Sequence, residues 1–410
     1  MLYWATPESR NVPIIMYSHD GFGLGHIRRN YLIARRSVRE IVSSHILLVT
    51  GCIVPPFSYL PDGVDFVKLP SIVKVDNGLW RPRTLGMGLK DFQKLRSTFI
   101  RKCAEIVKPR VVVVDYTPTG VWRELVPVLD MLKNRKYPPK IILGLRDILD
   151  TPERTRHLWT REGAYEVMKE YYDKILIYGC REVFDTAGSY GLSDVLADKV
   201  TYCGYLCSEG ALDSARDIRS ELGLGDSKLV VVTAGGGYDA YPMMQLCIEA
   251  LRQVLKRASA RAVLITGPLM NRENREALGI QAAGLPIVVL NSADTVCYIN
   301  AADVVITMAG YNTLVDSVFF RKNIIVIPRN GPSAEQRLRA GLFAEKGLVT
   351  SPGSAAEVTA AELAEITIEK IHAPSVPAGG IGLDGLSRTV REIKAVVSEP
   401  RRADQLLKTG

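Results

Sequence analysis

The chain has 410 residues, of which 47% are hydrophobic and 23% charged. That balance excludes a disordered, fibrous or membrane-embedded chain and leaves ample apolar material for two globular cores. The formal charge of +8 is dispersed, with no block of consecutive basic residues. It fits anionic partners such as nucleotides, sugar phosphates or an acidic membrane surface, and it fits plain solubility equally well. No RNA- or DNA-binding motif is present, so nucleic acid is not an expected partner. Seven cysteines are scattered without a CxxC pair. They are expected as buried reduced thiols, and with no charged-then-apolar leader at the N-terminus the expected location is the cytoplasm.

The first apolar run predicts a strand over 12–18, and "DGFGLGHIRRN" follows it directly. Gly21, Gly23 and Gly25 allow a ligand close to the backbone, and Ile27, Tyr31, Ala34, Val38 and Ile41 keep helical spacing after them. The next strand, 45–51, ends in glycine without the acidic residue that a dinucleotide fingerprint needs, so NAD binding is rejected here. His26, placed at the end of a strand-to-helix loop, has the near-neutral titration that suits a general base; the plainer reading is a loop-bracing histidine. Arg28 and Arg29 are equally a solvated helix face or ligand contacts.

Further strands are expected over 64–69, 111–115, 140–145, 174–179 and 199–203. Between the first two of these, residues 71–90 mix Val73, Leu79, Trp80, Leu85 and Met87 with Lys74, Arg81, Arg83 and Lys90, without helical period. They read as a partly buried loop, with a lipid-linked acceptor or an anionic membrane surface as the alternative. Asp115, with Thr117 and Thr119, and Arg146, with Asp147, fall at strand ends that should face a cleft. Asp115 is read as an acceptor contact or second catalytic group, or else as a loop cap. Arg146 is read as a substrate contact, or else as half of an ion pair with Asp147.

The polar stretch "GYLCSEGALDSARD" then marks a break, followed by strands over 228–234, 261–267, 286–290, 303–308 and 323–328. Runs such as "VVVVD" and "IIVIP" are apolar without alternation, as parallel strands buried on both faces must be. Twelve strands exceed one sheet, so the expectation is an α/β chain of two Rossmann-like doubly wound domains facing across a cleft. Their spans are 1–205 and 206–373, with 374–410 as linker, C-terminal helix and tail. Ligands in such sheets bind beyond the carboxyl ends of the strands.

In the second domain "TAGGGYDAY" repeats the strand-glycine-helix logic, and the backbone NH groups of Gly235, Gly236 and Gly237 can hold a diphosphate without metal. Residues 307–340 are the most specific segment: a strand ends at Ala309-Gly310, a helix opens with Asn312-Thr313, and Asp316 follows on its first turns. Asp316 has two acceptor oxygens for the hydroxyls of a ribose, or else complements the helix dipole. After "IIVIP" come a loop and then Glu335 and Gln336.

This segment resembles the donor-binding half of GT-B glycosyltransferases, especially the MurG-like enzymes that add N-acetylglucosamine to lipid-linked muramyl peptide in peptidoglycan synthesis. The resemblance lies in the glycine-rich loop, the Gly-x-x-Thr-x-x-acid helix start and the residue pair after a Pro-ended strand. Asp316 stands where that family usually has a glutamate, and Glu335-Gln336 where it often has two glutamines. Gly25-His26 matches the family's N-terminal loop histidine. "GHIRR" is similar to a nucleotide-sugar hydrolase of nonulosonic-acid synthesis. "VVVVDYTPTG", "LGLRDILDTPE" and "DGLSRTVREI" look similar to uncharacterised bacterial glycosyltransferases. The resemblance implies an NDP-sugar donor, expected to be UDP-linked, and an inverting transfer to a small-molecule or lipid-linked acceptor; peripheral membrane contact stays the alternative reading of residues 71–90. No Asp-x-Asp motif is present, so no metal and no cofactor beyond the donor are expected. Hydrolysis with His26 activating water, epimerisation and silent nucleotide-sugar binding are the alternatives.

Overall fold

The computed structural model describes residues 11–21, 23–53, 59–76, 79–208, 214–331, 333–377 and 379–399. In the first half, strands β1 (Val12–Ser18), β2 (Ser44–Thr50) and β3 (Val64–Lys68) are followed by β4 (Ile72–Asp76) and β5 (Leu79–Pro82). Then come β6 (Val111–Asp115), β7 (Lys140–Arg146), β8 (Lys174–Tyr178) and β9 (Val200–Tyr202). The second half holds β10 (Lys228–Thr233), β11 (Ala260–Ile265), β12 (Ile287–Leu290), β13 (Val304–Thr307) and β14 (Asn323–Val326).

Seven strands form one sheet in the order β3-β2-β1-β6-β7-β8-β9, and five form a second in the order β12-β11-β10-β13-β14. Every pairing in both sheets is parallel. The expected two-domain doubly wound architecture is therefore the observed one. β6 and β10 show why the strands were readable, because Val111–Val114 and Leu229–Val232 are buried throughout, with a helical layer on each face.

In each sheet the chain order reverses beside the first strand, between β1 and β6 and between β10 and β13. Loops leaving such neighbouring strands splay to opposite faces and leave a crevice between them. Two crevices, one per sheet, face each other here.

The segment 71–90 differs from the expected loop. β4 and β5 pair antiparallel with a register shift between Lys74 and Asp76, and they stand apart from both large sheets. The hairpin lies over the first glycine loop, where a Cβ on Gly21 would come within 2.2 Å of the Trp80 ring.

The helix Gly385–Ser398 crosses back from the second half and packs on the helix Gly25–Glu40 of the first. Leu386, Val390, Ile393 and Val397 line one face at helical spacing and join the core that holds Ile14, Ile27 and Ile33.

A candidate active site between the two domains

The loops leaving β1, β6, β10 and β13 enclose one cavity of about 1430 Å³. Its walls include Gly23, Gly25, His26, Arg28 and Arg146 from the first domain. The second domain contributes Gly235, Gly236, Gly237, Gly310, Asn312, Thr313, Glu335 and Gln336. These residues lie far apart in sequence and converge because both switch points open onto the same space.

The two glycine loops nearly touch, since a Cβ built on Gly236 would lie 3.5 Å from the Gly23 Cα. Asn312 Nδ2 donates to the Gly25 carbonyl at 3.3 Å, tying the start of the helix Tyr311–Phe319 to the first-domain loop. Gly237 has φ +84°, and a Cβ there would meet the Thr266 carbonyl oxygen at 1.8 Å, so its lack of a side chain is needed for packing as well as for any ligand. The expected helix after the second loop begins later, at Tyr241, behind an Ala240 cap.

Asp20 builds the first loop. Its Oδ1 accepts from the Ile27 amide at 2.9 Å, and its Oδ2 accepts from Thr50 Oγ1 at 2.6 Å and from Ser18 Oγ. One buried carboxylate thus fixes β1, β2 and the first turn of the helix together.

Two expected site residues do not reach the cavity wall. Asp115 is fully buried and grips Arg29, accepting from Nε and Nη2 at 3.1 Å each. Burial alone would raise its pKa, but Arg29 and then His26 hold the carboxyl below its usual range. It is an ion-pair anchor and not an acceptor contact. Asp316 is 1% exposed; its Oδ1 takes the Ser208 amide at 2.9 Å and its Oδ2 takes Arg28. The ribose-binding expectation is corrected accordingly, because both acceptor oxygens are already used inside the domain interface. Burial pushes the Asp316 carboxyl up, against the pull of Arg28 and Ser208.

Arg146 pairs with Glu335 across the cleft at 2.6 Å, not with the adjacent Asp147. Asp147 instead takes Arg339 at 2.7 and 3.1 Å, and Arg339 also reaches Glu335 at 2.9 Å. Burial would raise Glu335, yet Arg146 and Arg339 overcome it and hold the carboxyl at about 2. Gln336 Oε1 accepts from the Arg329 amide at 3.1 Å. These contacts bring the sequence-derived pair to the cavity as a charged, rigid rim.

His26 borders the cavity and is 8% exposed, with Nδ1 2.9 Å from Arg29 Nη2. A second histidine, not singled out by its sequence pattern, shares this wall: His19 is 4% exposed, its ring centroid is 4.6 Å from that of His26, and its Nδ1 lies 2.9 Å from the Tyr116 carbonyl oxygen. Its one sequence signal is position, a titratable residue directly after the first strand of a doubly wound sheet. Arg154, His157 and Arg161 also border the cavity from the helix Pro152–Glu162. Among the described residues no group of three or more His, Cys, Asp or Glu side chains is arranged to hold a metal ion. No helix among them is long and apolar enough to cross a membrane.

Residues 229–370 match the family model described as glycosyltransferase family 28 C-terminal domain. No curated protein matches the chain in sequence. Solved structures of similar fold include a UDP-glucosyltransferase from Polygonum tinctorium, at 14% identity and TM-score 0.61, covering 96% of this chain and 100% of that one. MnaA of S. aureus in complex with UDP follows at 13% and 0.59, covering 96% and 99%. Acinetobacter baumannii MurG follows at 12% and 0.54, covering 94% and 99%. At such identities the likeness carries the fold, and the fold is GT-B. Within that fold, residues 229–370 are similar to the C-terminal domain of glycosyltransferase family 28. The matched region contains residues 307–340, on which the MurG-like resemblance rests.

Proposed function

We propose that this protein moves a sugar from an NDP-sugar, UDP-linked, to a hydroxyl-bearing acceptor, without a metal ion and with inversion at the anomeric carbon. The observation that carries the reading is the convergence of both switch-point loops on one cavity, with glycine loops on each side and imidazoles on the first-domain wall. The donor diphosphate is assigned to the Gly235–Gly237 loop and to the N-terminus of the helix opened by Gly310, Asn312 and Thr313. Backbone NH groups there, and Arg28, Arg146 and Arg329 on the walls, meet the charge that grows on the leaving diphosphate. The acceptor lies on the first-domain side. Its oxygen attacks the anomeric carbon from the face opposite the diphosphate, the carbon–oxygen bond to phosphate breaks, and the proton passes to an imidazole of that wall.

The fold neighbours include a UDP-glucosyltransferase and MnaA bound to UDP, which supports a uridine nucleotide as the donor's carrier. The test is a panel of UDP-, GDP- and dTDP-sugars, in EDTA, with candidate hydroxyl acceptors and with none. Transfer appears as a product heavier by one sugar with NDP released. Free sugar with NDP, at equal rate with and without acceptor, would replace the transferase by a hydrolase; an epimerised sugar nucleotide with no NDP released would replace it by an epimerase.

A further inference from the structure

The inference rests on the transferase reading above and names the chemistry of the acceptor. Besides the two histidines, the first-domain wall of the cavity is built by the turn after β6, the β4–β5 hairpin and the helix Pro152–Glu162. On that helix Arg154, His157, Leu158 and Arg161 border the cavity at three- and four-residue spacing, so one helix face looks into it. Arg156 lies off that face and donates to the Ser189 and Gly188 carbonyls at 2.7 and 3.0 Å. Neither His157 nor Arg161 forms a hydrogen bond or a salt bridge with another described residue. Arg123, from the turn after β6, adds a third guanidinium to this wall and donates to the Glu162 carbonyl. Two carboxylates border the same wall. Asp150 Oδ1 is already used, accepting from the Thr151 and Ala334 amides at 2.9 and 3.0 Å. Burial pushes the Glu162 carboxyl up, against the pull of Arg161 and Arg123. The wall therefore keeps more donors and positive charge than its own acids use.

Aromatic surface stands beside the cations. Trp80 and Trp122 both border the cavity and pack on the small core of Ile72, Phe92 and Val121. Trp122 meets the buried Phe92 ring edge-on, with centroids 6.0 Å apart. Trp122 and Arg123 have left-handed backbone, φ +55° and +65°, directly after the turn that Gly120 opens at +69°. Residues with a Cβ keep such backbone only where their surroundings hold it, and at cavity walls the strain serves placement. Here Glu124 is the holder. Its buried carboxylate accepts from Arg96 at 2.6 and 2.7 Å and from the Tyr17 hydroxyl, and its carbonyl accepts from Ser97 Oγ at 2.9 Å. The clamp keeps an indole and a guanidinium on the same stretch of wall.

We propose that the acceptor is an anionic alcohol built on a flat apolar ring, with its carboxylate or phosphate against Arg154, His157 and Arg161 and its ring against Trp122. Guanidinium forks match the paired oxygens of either anion, and an indole gives the ring a large apolar face.

The test reads binding, so it does not wait on turnover. NMR titration of the full chain compares para-hydroxybenzoate and para-hydroxyphenyl phosphate with the neutral para-hydroxybenzamide, with and without UDP. At least one anion should bind about tenfold or more tighter than the amide, the scale of a charge-assisted hydrogen bond, and the tighter of the two identifies the anionic group. Arg161→Gln and His157→Gln should each cut that preference severalfold and leave amide binding and UDP affinity unchanged. Arg156→Gln removes the same charge as Arg161→Gln from off the cavity face and should keep the preference. Trp122→Leu should weaken all three probes alike. Equal affinity for anions and amide, no binding of any probe, or a preference that survives both Arg161→Gln and His157→Gln overturns the proposal. Failure of the transferase reading shows separately, as no sugar nucleotide consumed by the unaltered protein with any acceptor. An anion preference found in that case marks a bound ligand and overturns its assignment as acceptor.

Discussion

Glu335 illustrates how a buried carboxylate can be both a site residue and a structural one. It touches Arg146 and Arg339 and borders the cavity, and those two cations hold it at about 2 against burial. Its ordinary value, reached on unfolding, is 4.5. A carboxyl depressed on folding contributes stability that is complete above the unfolded value and lost as pH falls through the folded one. The expected window is thus pH 4.5 down to 2, with a contribution on the order of 3 kcal/mol. Melting temperature measured from pH 6 to pH 2.5 should fall less steeply in Glu335→Gln than in the unaltered protein, and parallel curves would contradict this. Asp115 follows the same logic more severely. Asp115→Ala leaves Arg29 buried without its partner, and chemical unfolding should show a loss of roughly 3–5 kcal/mol. A variant as stable as the original would return Asp115 to the cavity as a ligand.

The elements divide by how much of their environment their own residues encode. The strands of both large sheets were legible because burial on two faces demands unbroken apolar runs, as in Val111–Val114. The β4–β5 hairpin was not, because Val75 and Leu79 are exposed and basic residues interrupt them, so no alternation survives. The glycine loops were legible as loops, and Gly237 shows why glycine alone serves there. Gly237→Ala must displace the Thr266 carbonyl, so UDP affinity and loop order should both be lost, whereas Gly310→Ala meets no atom within 4 Å and should fold normally. Equal melting temperatures for the two variants would contradict the packing argument. The site carboxylates were legible only as chemistry. Asp115 and Asp316 have the residue type and position of ligands, yet their partners Arg29 and Arg28 lie 86 and 288 residues away, and no local pattern reveals such pairing. His26 drew notice through its Gly-His context, while His19 sits in "SHD", which has no motif to announce it.

At the scale of the molecule the two domains are joined by charge as well as by apolar surface. Arg28–Asp316, Arg146–Glu335 and Arg339–Asp147 all cross the cleft, and Arg29 and Arg339 both pack on the Tyr311 ring, at 5.5 and 5.7 Å. The helix Gly385–Ser398 adds a covalent return from the second domain to the first. Cutting the chain after residue 373 would bare Ile27 and Ile33 beneath that helix, and the shortened protein should aggregate or lose a large part of its melting temperature. Full stability after the cut would show the helix to be dispensable. The cavity that these contacts frame is where the sugar nucleotide is expected to bind. The most direct measurement is amide hydrogen exchange, read by mass spectrometry, with and without UDP in the presence of EDTA. Protection is expected in the loops after β10 and β13, residues 233–241 and 307–313. Absence of protection in both loops at saturating UDP, or protection only after magnesium or manganese is added, would contradict it.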